Sequence, residues 1–196
     1  MLKRLFDILA SLFGIIILLP FFMVICLTMA VSCGFPLFYM QTRVGKNNKD
    51  FKLFKFRTMH LDADKKGLLT VGGHDPRVTK IGYYLRKYKL DELPQLFNVL
   101  FGTMSLVGPR PEVRKYVDLY NNEQQKVLSV RPGITDFASL EFINENDLLA
   151  KSANPEQTYI NDIMPAKLTL NAKYIEQHDL LVDFKIIVNT ILKIVQ

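Results

Sequence analysis

Two carboxylates stand side by side at Asp91 and Glu92, and Leu93 and Pro94 follow at once. Proline is favoured in the first turn of a helix, where its missing N–H would have no partner anyway. The acidic pair is therefore expected beside the positive end of the dipole of the helix that follows, which favours ionised carboxylates. An ionised aspartate can attack phosphorus and form an acyl phosphate, dividing one transfer into two steps. A neighbouring glutamate can position a metal ion or handle a proton. Acidic residues also cap helices routinely, so the pair taken alone leaves both roles open.

Basic residues surround this pair in the sequence. Arg110 stands between Pro109 and Pro111, just after Gly108. Prolines restrict their own φ and the residue before them, so the Arg110 guanidinium is held in a narrow range, as bidentate phosphate recognition requires. A rigid loop with a surface ion pair would read the same way. Lys55 and Arg57 fall on one side of an extended backbone and could share an anion or simply form a solvated strand face. Arg77, Arg86 and Lys87 add positive charge ahead of the pair. A diphosphate, a lipid phosphate and a divalent cation together would need this mixture of acids and bases.

The elements that must position these groups begin with an apolar run. From Leu5 to Met40 the one charged side chain is Asp7. A simple crossing needs roughly 20 apolar residues, so the run is too long for one crossing and too short for two. Pro20 near its middle predicts a bend, and Ser11, Thr28 and Ser32 are candidates to bond the carbonyls a break would free. Lys3 and Arg4 precede the run while Arg43, Lys46 and Lys49 follow it. Basic flanks on both sides favour both ends in the cytoplasm. A re-entrant helix-break-helix over residues 1–40 satisfies both facts; a kinked spanning helix is the competing arrangement. A cleaved signal at Ala30-Val31-Ser32-Cys33 fits poorly, because the apolar region is far too long. Cys26 and Cys33 lie in this stretch as small hydrophobes, and His60, His74 and His178 lack ligand spacing.

The remaining chain, 41–196, reads as one compact cytosolic helical domain. Alternation in Phe38–Gln41 and Phe51–Phe56 around a Gly45–Asn48 turn predicts a hairpin, and the polar residues 60–77 predict a loop. Helices are expected over Lys80–Lys89, from Leu93 along a stripe of Leu93, Leu96, Phe97, Leu100 and Phe101 to Gly102, and over Glu112–Leu128. Leu180–Val195 is apolar with a Lys185, Asn189, Lys193 stripe, suited to the core or to the bilayer interface. The expected fold is mostly α with a small β-hairpin, an N-terminal membrane element and interfacial amphipathic helices. The formal charge of +6 over 196 residues implies an anionic partner. Nucleic acid is excluded, since no binding motif and no aromatic-interleaved basic stripe is present.

With these motifs in order, the chain resembles the monotopic bacterial phosphoglycosyl transferases. The matching pieces are Lys3-Arg4 with Asp7, Pro20, Gln41-Thr42-Arg43-Val44-Gly45, Lys55-Phe56-Arg57-Thr58-Met59, Leu85-Arg86, Leu90 to Leu96, Asn98-Val99-Leu100, Ser105 to Glu112 and Arg131 to Thr135. The resemblance implies a re-entrant helix broken at the proline, an active site facing the cytoplasm at the bacterial inner membrane, and magnesium dependence. It implies that Asp91 attacks the sugar-proximal phosphorus of a UDP-sugar, releasing UMP. Undecaprenyl phosphate, the polyprenyl acceptor, then attacks the phosphosugar-aspartate in a ping-pong route that starts glycan assembly. Glu92 would assist at the metal, with Asp91 and Glu92 as its ligands. Arg110, Lys55, Arg57 and Arg86 would hold phosphates. Neither the sugar nor the choice between monomer and homodimer follows.

The chain departs from the family pattern in several places. Thr103 stands where the pattern usually has aspartate, Asp136-Phe137-Ala138-Ser139 replaces a frequent Gly-x-Ala-Gln, and Glu141 to Leu149 occupies the place of a Gly-Arg-Asn triplet. Leu19 replaces a serine before Pro20. A membrane-tethered scaffold that lost activity is the rival reading; Thr103 is its hint, and retention of Asp91, Glu92 and Arg110 opposes it.

Overall fold

The computed structural model describes residues 2–63, 67, 69–72 and 75–195, without the side chain of residue 195. His74 lies outside the described residues. Helix α1 (Leu2–Cys33) is a single helix with Pro20 inside it, so helical backbone continues through the proline instead of dividing into two helices there. At 1.5 Å per residue it is about 48 Å long, against roughly 30 Å of bilayer hydrocarbon. Among the described residues it is the one helix long and apolar enough to cross a membrane. Ser11 and Thr28 donate to the carbonyls of Ile8 (3.1 Å) and Val24 (2.8 Å). Both bonds are away from Ile16, whose carbonyl Pro20 leaves without its donor.

One stripe of α1 packs on the body of the protein, and its other faces expose Leu9, Phe13, Ile16, Ile17, Met23, Val24 and Leu27. Near its start, Arg4 donates to the carbonyls of Val99 (2.6 Å) and Leu100 (3.0 Å). Buried Asp7 accepts from the Ser105 hydroxyl and the Leu106 N–H, both at 3.1 Å. Further along, Phe22, Ile25 and Met29 pack with Phe56 and Leu85. At its end, the Arg57 guanidinium donates to the carbonyls of Cys33 (2.7 Å) and Gly34 (2.8 Å). Both ends of the apolar helix are thus fastened to the same body.

Strands β1 (Phe38–Val44) and β2 (Asp50–Phe56) form the expected antiparallel hairpin, Phe38 opposite Phe56 and Val44 opposite Asp50. Asn47 and Asn48 carry the left-handed conformation of its turn, which asparagine tolerates. Helix α2 (Lys80–Lys87) is capped by Thr79, whose hydroxyl accepts from Gly82 N–H at 3.0 Å. Helix α3 (Gln95–Phe101) ends at Gly102 with φ +88°, where a side chain would be strained.

Two features differ from expectation. A second, parallel pair joins β3 (Ser105–Val107) to β4 (Gly133–Thr135). It requires glycine at both crossing points: a Cβ on Gly133 would lie 2.1 Å from Gly108 N. The helix expected over Glu112–Leu128 is only α4 (Arg114–Val117) followed by a 3-10 turn over Gln124–Ser129. Asn121 and Gln124 explain the restart, each side chain accepting from the other's backbone N–H at 2.9 and 3.0 Å. Such local side-chain bonds compete with the helical ladder.

Helices α5 (Phe137–Glu141), α6 (Glu145–Ala150) and α7 (Pro155–Thr158) lead through a π-turn at Tyr159–Ile163 into α8 (Met164–Gln177) and α9 (Leu180–Val195). Tyr116, Tyr159, Met164 and Leu168 are in the main core. Helix α9 buries Asp183 and Ile186 and exposes Leu181, Phe184, Ile191 and Leu192. Its Lys193 donates to the Leu140 carbonyl at 2.7 Å.

Candidate active site

The acidic pair occupies a separate 3-10 turn, Leu90–Glu92, entered through Lys89 in the left-handed conformation. Pro94 is the N-cap of α3, which begins only at Gln95 and receives no side-chain cap. The carboxylates therefore do not cap that helix. Both are buried, and their partners differ. Arg110 donates to both Glu92 oxygens, and the Lys55 ammonium donates to Glu92 Oε1 at 2.9 Å. The Asp91 carboxylate has no hydrogen bond or ion pair among the described residues.

Asp91 lines a cavity of about 310 Å³. Its walls are Tyr39, Gln41 and Arg43 of β1, Lys55 and Arg57 from β2 and just beyond, Thr58 to Ala63, and Arg77 and Arg86. Arg86 donates to Thr70 at 2.7 Å. Arg77 binds Asp75 and the carbonyls of Gly67 and Leu69, both at 2.6 Å, so it holds the loop that walls one side. Asn98 ties α3 to β2 beside Lys55, accepting from Phe54 N–H (2.9 Å) and donating to the Lys52 carbonyl (2.7 Å).

Electrostatics separate the two acids. Burial pushes the Asp91 carboxyl above the usual carboxylate range, against the pull of Lys55. Burial acts the same way on Glu92, but Arg110 and Lys55 outweigh it and hold that carboxyl well below. Burial lowers the Lys55 ammonium, opposed by Glu92. Glu92 raises Arg110 above the ordinary guanidinium range. The result is a fixed anion at Glu92 locked between two cations, and a basic, unencumbered carboxylate at Asp91 facing the cavity.

Among the residues expected from sequence, Asp91, Lys55, Arg57 and Arg86 all line this cavity, and Glu92 and Arg110 join the cluster through their mutual ion pair. Arg57 is otherwise engaged: its terminal nitrogens hold the C-terminal carbonyls of α1, and only Nε is left without a partner. Thr103 binds Asn98 rather than the acidic pair. Gln41 and Arg43, which the sequence offers as part of a family motif and not as site residues, also line the cavity, on the same face of β1 as Tyr39. Asp136 contacts the Arg110 backbone, a link that no spacing rule reveals.

Among the described residues no group of three or more His, Cys, Asp or Glu side chains is placed to hold a metal ion. Magnesium, however, usually keeps several waters and is held by one or two carboxylates together with substrate phosphates. Asp91, with open oxygens on a cavity lined by Arg43, Lys55, Arg57, Arg77 and Arg86, fits that pattern.

Comparison with known proteins identifies the family. Residues 1–196 match the family described as bacterial sugar transferase. The chain is 40% identical over 141 residues to the UDP-N-acetylgalactosamine-undecaprenyl-phosphate N-acetylgalactosaminephosphotransferase of Aeromonas hydrophila, covering 70% of this chain and 33% of that protein. It is 38% identical to the uncharacterized sugar transferase EpsL of Bacillus subtilis, covering 98% of this chain and 87% of the relative. It is 34% identical to the UDP-glucose:undecaprenyl-phosphate glucose-1-phosphate transferase of Escherichia coli, covering 98% and 40%. The chain thus spans nearly all of some relatives and well under half of others. It belongs to the bacterial sugar transferase family.

Proposed function

We propose that this protein transfers a sugar 1-phosphate from a UDP-sugar to a polyprenyl phosphate through a covalent intermediate on Asp91. The observation that carries this reading is the contrast within the acidic pair: Glu92 is held by Lys55 and Arg110, while Asp91 has no hydrogen-bond or ion-pair partner among the described residues and faces the cavity. An Asp91 oxygen attacks the sugar-proximal phosphorus, the bond from that phosphorus to the bridging oxygen breaks, and UMP leaves. A phosphate oxygen of the acceptor then attacks the same phosphorus, releasing the lipid-linked diphosphosugar and restoring the Asp91 carboxylate. Lys55, Arg86 and Arg43 offset the diphosphate charge, and the Glu92 carboxylate keeps Lys55 and Arg110 in place for it. A bound magnesium ion, held by Asp91 with Glu92 beside it, would supply further charge neutralisation at the phosphates.

The acceptor is a membrane lipid, and the reading extends to location: a monotopic protein of the bacterial inner membrane, with residues 1–40 re-entrant, α9 in the interface and the site facing the cytoplasm. Support comes from the fastening of both ends of α1 to one body, Arg4 and Asp7 at one end and Arg57 at the other. A helix crossing the bilayer would carry one of those ends away. The relatives named above act on different sugars by their names, and this chain departs from the family pattern over residues 136–149, so the donor sugar is left to experiment. UMP release from a panel of UDP-sugars, with and without undecaprenyl phosphate and magnesium, tests the proposal. One donor should give UMP that depends on Asp91; release that persists in Asp91→Asn overturns it.

A further inference from the structure

The Pro109-Arg110-Pro111 segment has one backbone donor, because proline has no N–H. That single donor, the Arg110 amide, is held at 3.0 Å by Oδ2 of Asp136. The carbonyls on either side are held as well, that of Pro109 by Gly133 N–H at 3.0 Å and that of Pro111 by Arg43 Nη1 at 2.9 Å. Asp136 is fully buried. Its other oxygen accepts from Ser139 N–H at 2.6 Å as the N-cap of α5. The close parallel crossing of Gly108 against Gly133 brings Asp136 beside Arg110, although they are 26 residues apart.

We propose that Asp136 is a positioning residue for Arg110: its carboxylate fixes the backbone of the Pro-Arg-Pro segment so that the guanidinium meets Glu92 and, on substrate binding, the donor phosphates. The proposal rests on the reading of Arg110 as an anion-holding group in the transfer reaction. A helix cap needs only one acceptor, and serine caps as well as aspartate does. Asp136 uses two oxygens for two separate tasks, and the second acts on the one residue of the segment that carries charge.

Asp136→Ser separates the tasks, since a serine hydroxyl can serve Ser139 N–H but cannot hold the Arg110 amide as well. The full chain in detergent or nanodiscs is assayed for UMP release, with undecaprenyl phosphate and the UDP-sugar that performs best in the panel. The variants are Asp136→Ser, Arg110→Ala and the double substitution, and each is also melted. Because the Arg110 N–H loses its acceptor, Asp136→Ser is expected to melt up to about 10 °C below the parent and to lose about tenfold to a hundredfold in kcat/KM. Placed on Arg110→Ala, it should cost nothing more, because the group it positions is gone. Losses that multiply in the double variant, or parental activity in Asp136→Ser, overturn the proposal. Parental activity in Arg110→Ala removes the reading of Arg110 itself, and the proposal with it. Should Asp136→Ser melt lower than that, Asp136→Asn, which fills the same volume, enters the same cycle under the same criteria.

Discussion

Asp91 and Glu92 are neighbours in one 3-10 turn, yet Glu92 accepts hydrogen bonds from Arg110 and Lys55 while Asp91 accepts none among the described residues. The turn sends two chemically identical groups into opposite electrostatic situations. One becomes a permanent anion that organises cations. The other is left basic and open to the cavity.

Asp91→Asn is expected to abolish sugar-phosphate transfer while making the protein more stable at neutral pH. Burial raises the Asp91 pKa above its unfolded value. The contribution of this group to stability is therefore full below the unfolded pKa and is lost as pH rises through the folded one. Asparagine removes that loss. Thermal melts should show a higher Tm for the variant at neutral pH and a gain that shrinks in acid; a lower Tm at neutral pH would contradict the assignment.

The pH dependence of UMP release should be bell-shaped. The acidic limb follows Asp91 and lies above the ordinary aspartate range, because burial raises that group. The alkaline limb follows Lys55, whose pKa burial lowers. Glu92, held low, contributes no limb in the working range. Lys55→Arg should move the alkaline limb upward, since arginine keeps its proton. An alkaline limb that stays in place assigns it to another group.

Glu92→Gln should lower stability by about 1–3 kcal/mol, because it leaves the Lys55 and Arg110 cations without their counter-charge. The estimate sits below that for a fully buried pair because the Arg110 side chain is 31% exposed. Denaturant unfolding measures this. Unchanged stability would mean that the cations find other partners at once.

The docking of α1 should depend on Asp7. Removing its carboxylate with Asp7→Ala leaves the Ser105 hydroxyl and Leu106 N–H buried without an acceptor, at a cost of about 1–3 kcal/mol. Asp7→Asn, which keeps one acceptor, should cost less. Equal losses in the two variants would contradict this. For topology, single cysteines at positions 2 and 46, in a protein with Cys26 and Cys33 replaced, should both resist an external membrane-impermeant thiol reagent. Labelling at position 2 alone would make α1 a spanning helix.

Elements dominated by local pattern were legible from sequence: the alternation of the β1–β2 hairpin, the apolar stripe leading into α3 and its stop at Gly102, and the long α9. The β3–β4 pair was not, because three-residue strands carry too little periodicity and their pairing depends on contact between Gly108 and Gly133, far apart in sequence. Over 112–128 a helical pattern lost to side-chain bonds at Asn121 and Gln124. In the site, Asp91, Glu92, Lys55, Arg86 and Arg110 could be gathered from residue type and motif order. That Arg57 holds the end of α1 and that Asp136 holds Arg110 are facts of tertiary contact, invisible to spacing.

The covalent step at Asp91 is tested most directly by trapping. The protein is incubated with a UDP-sugar labelled in the sugar-proximal phosphate, in the absence of polyprenyl phosphate, then quenched, digested and mapped. Label on the peptide containing Asp91, matched by an equal amount of UMP and lost on adding undecaprenyl phosphate, is the predicted result. Transfer to the lipid in a protein that never carries the label, or label on another residue, would contradict it.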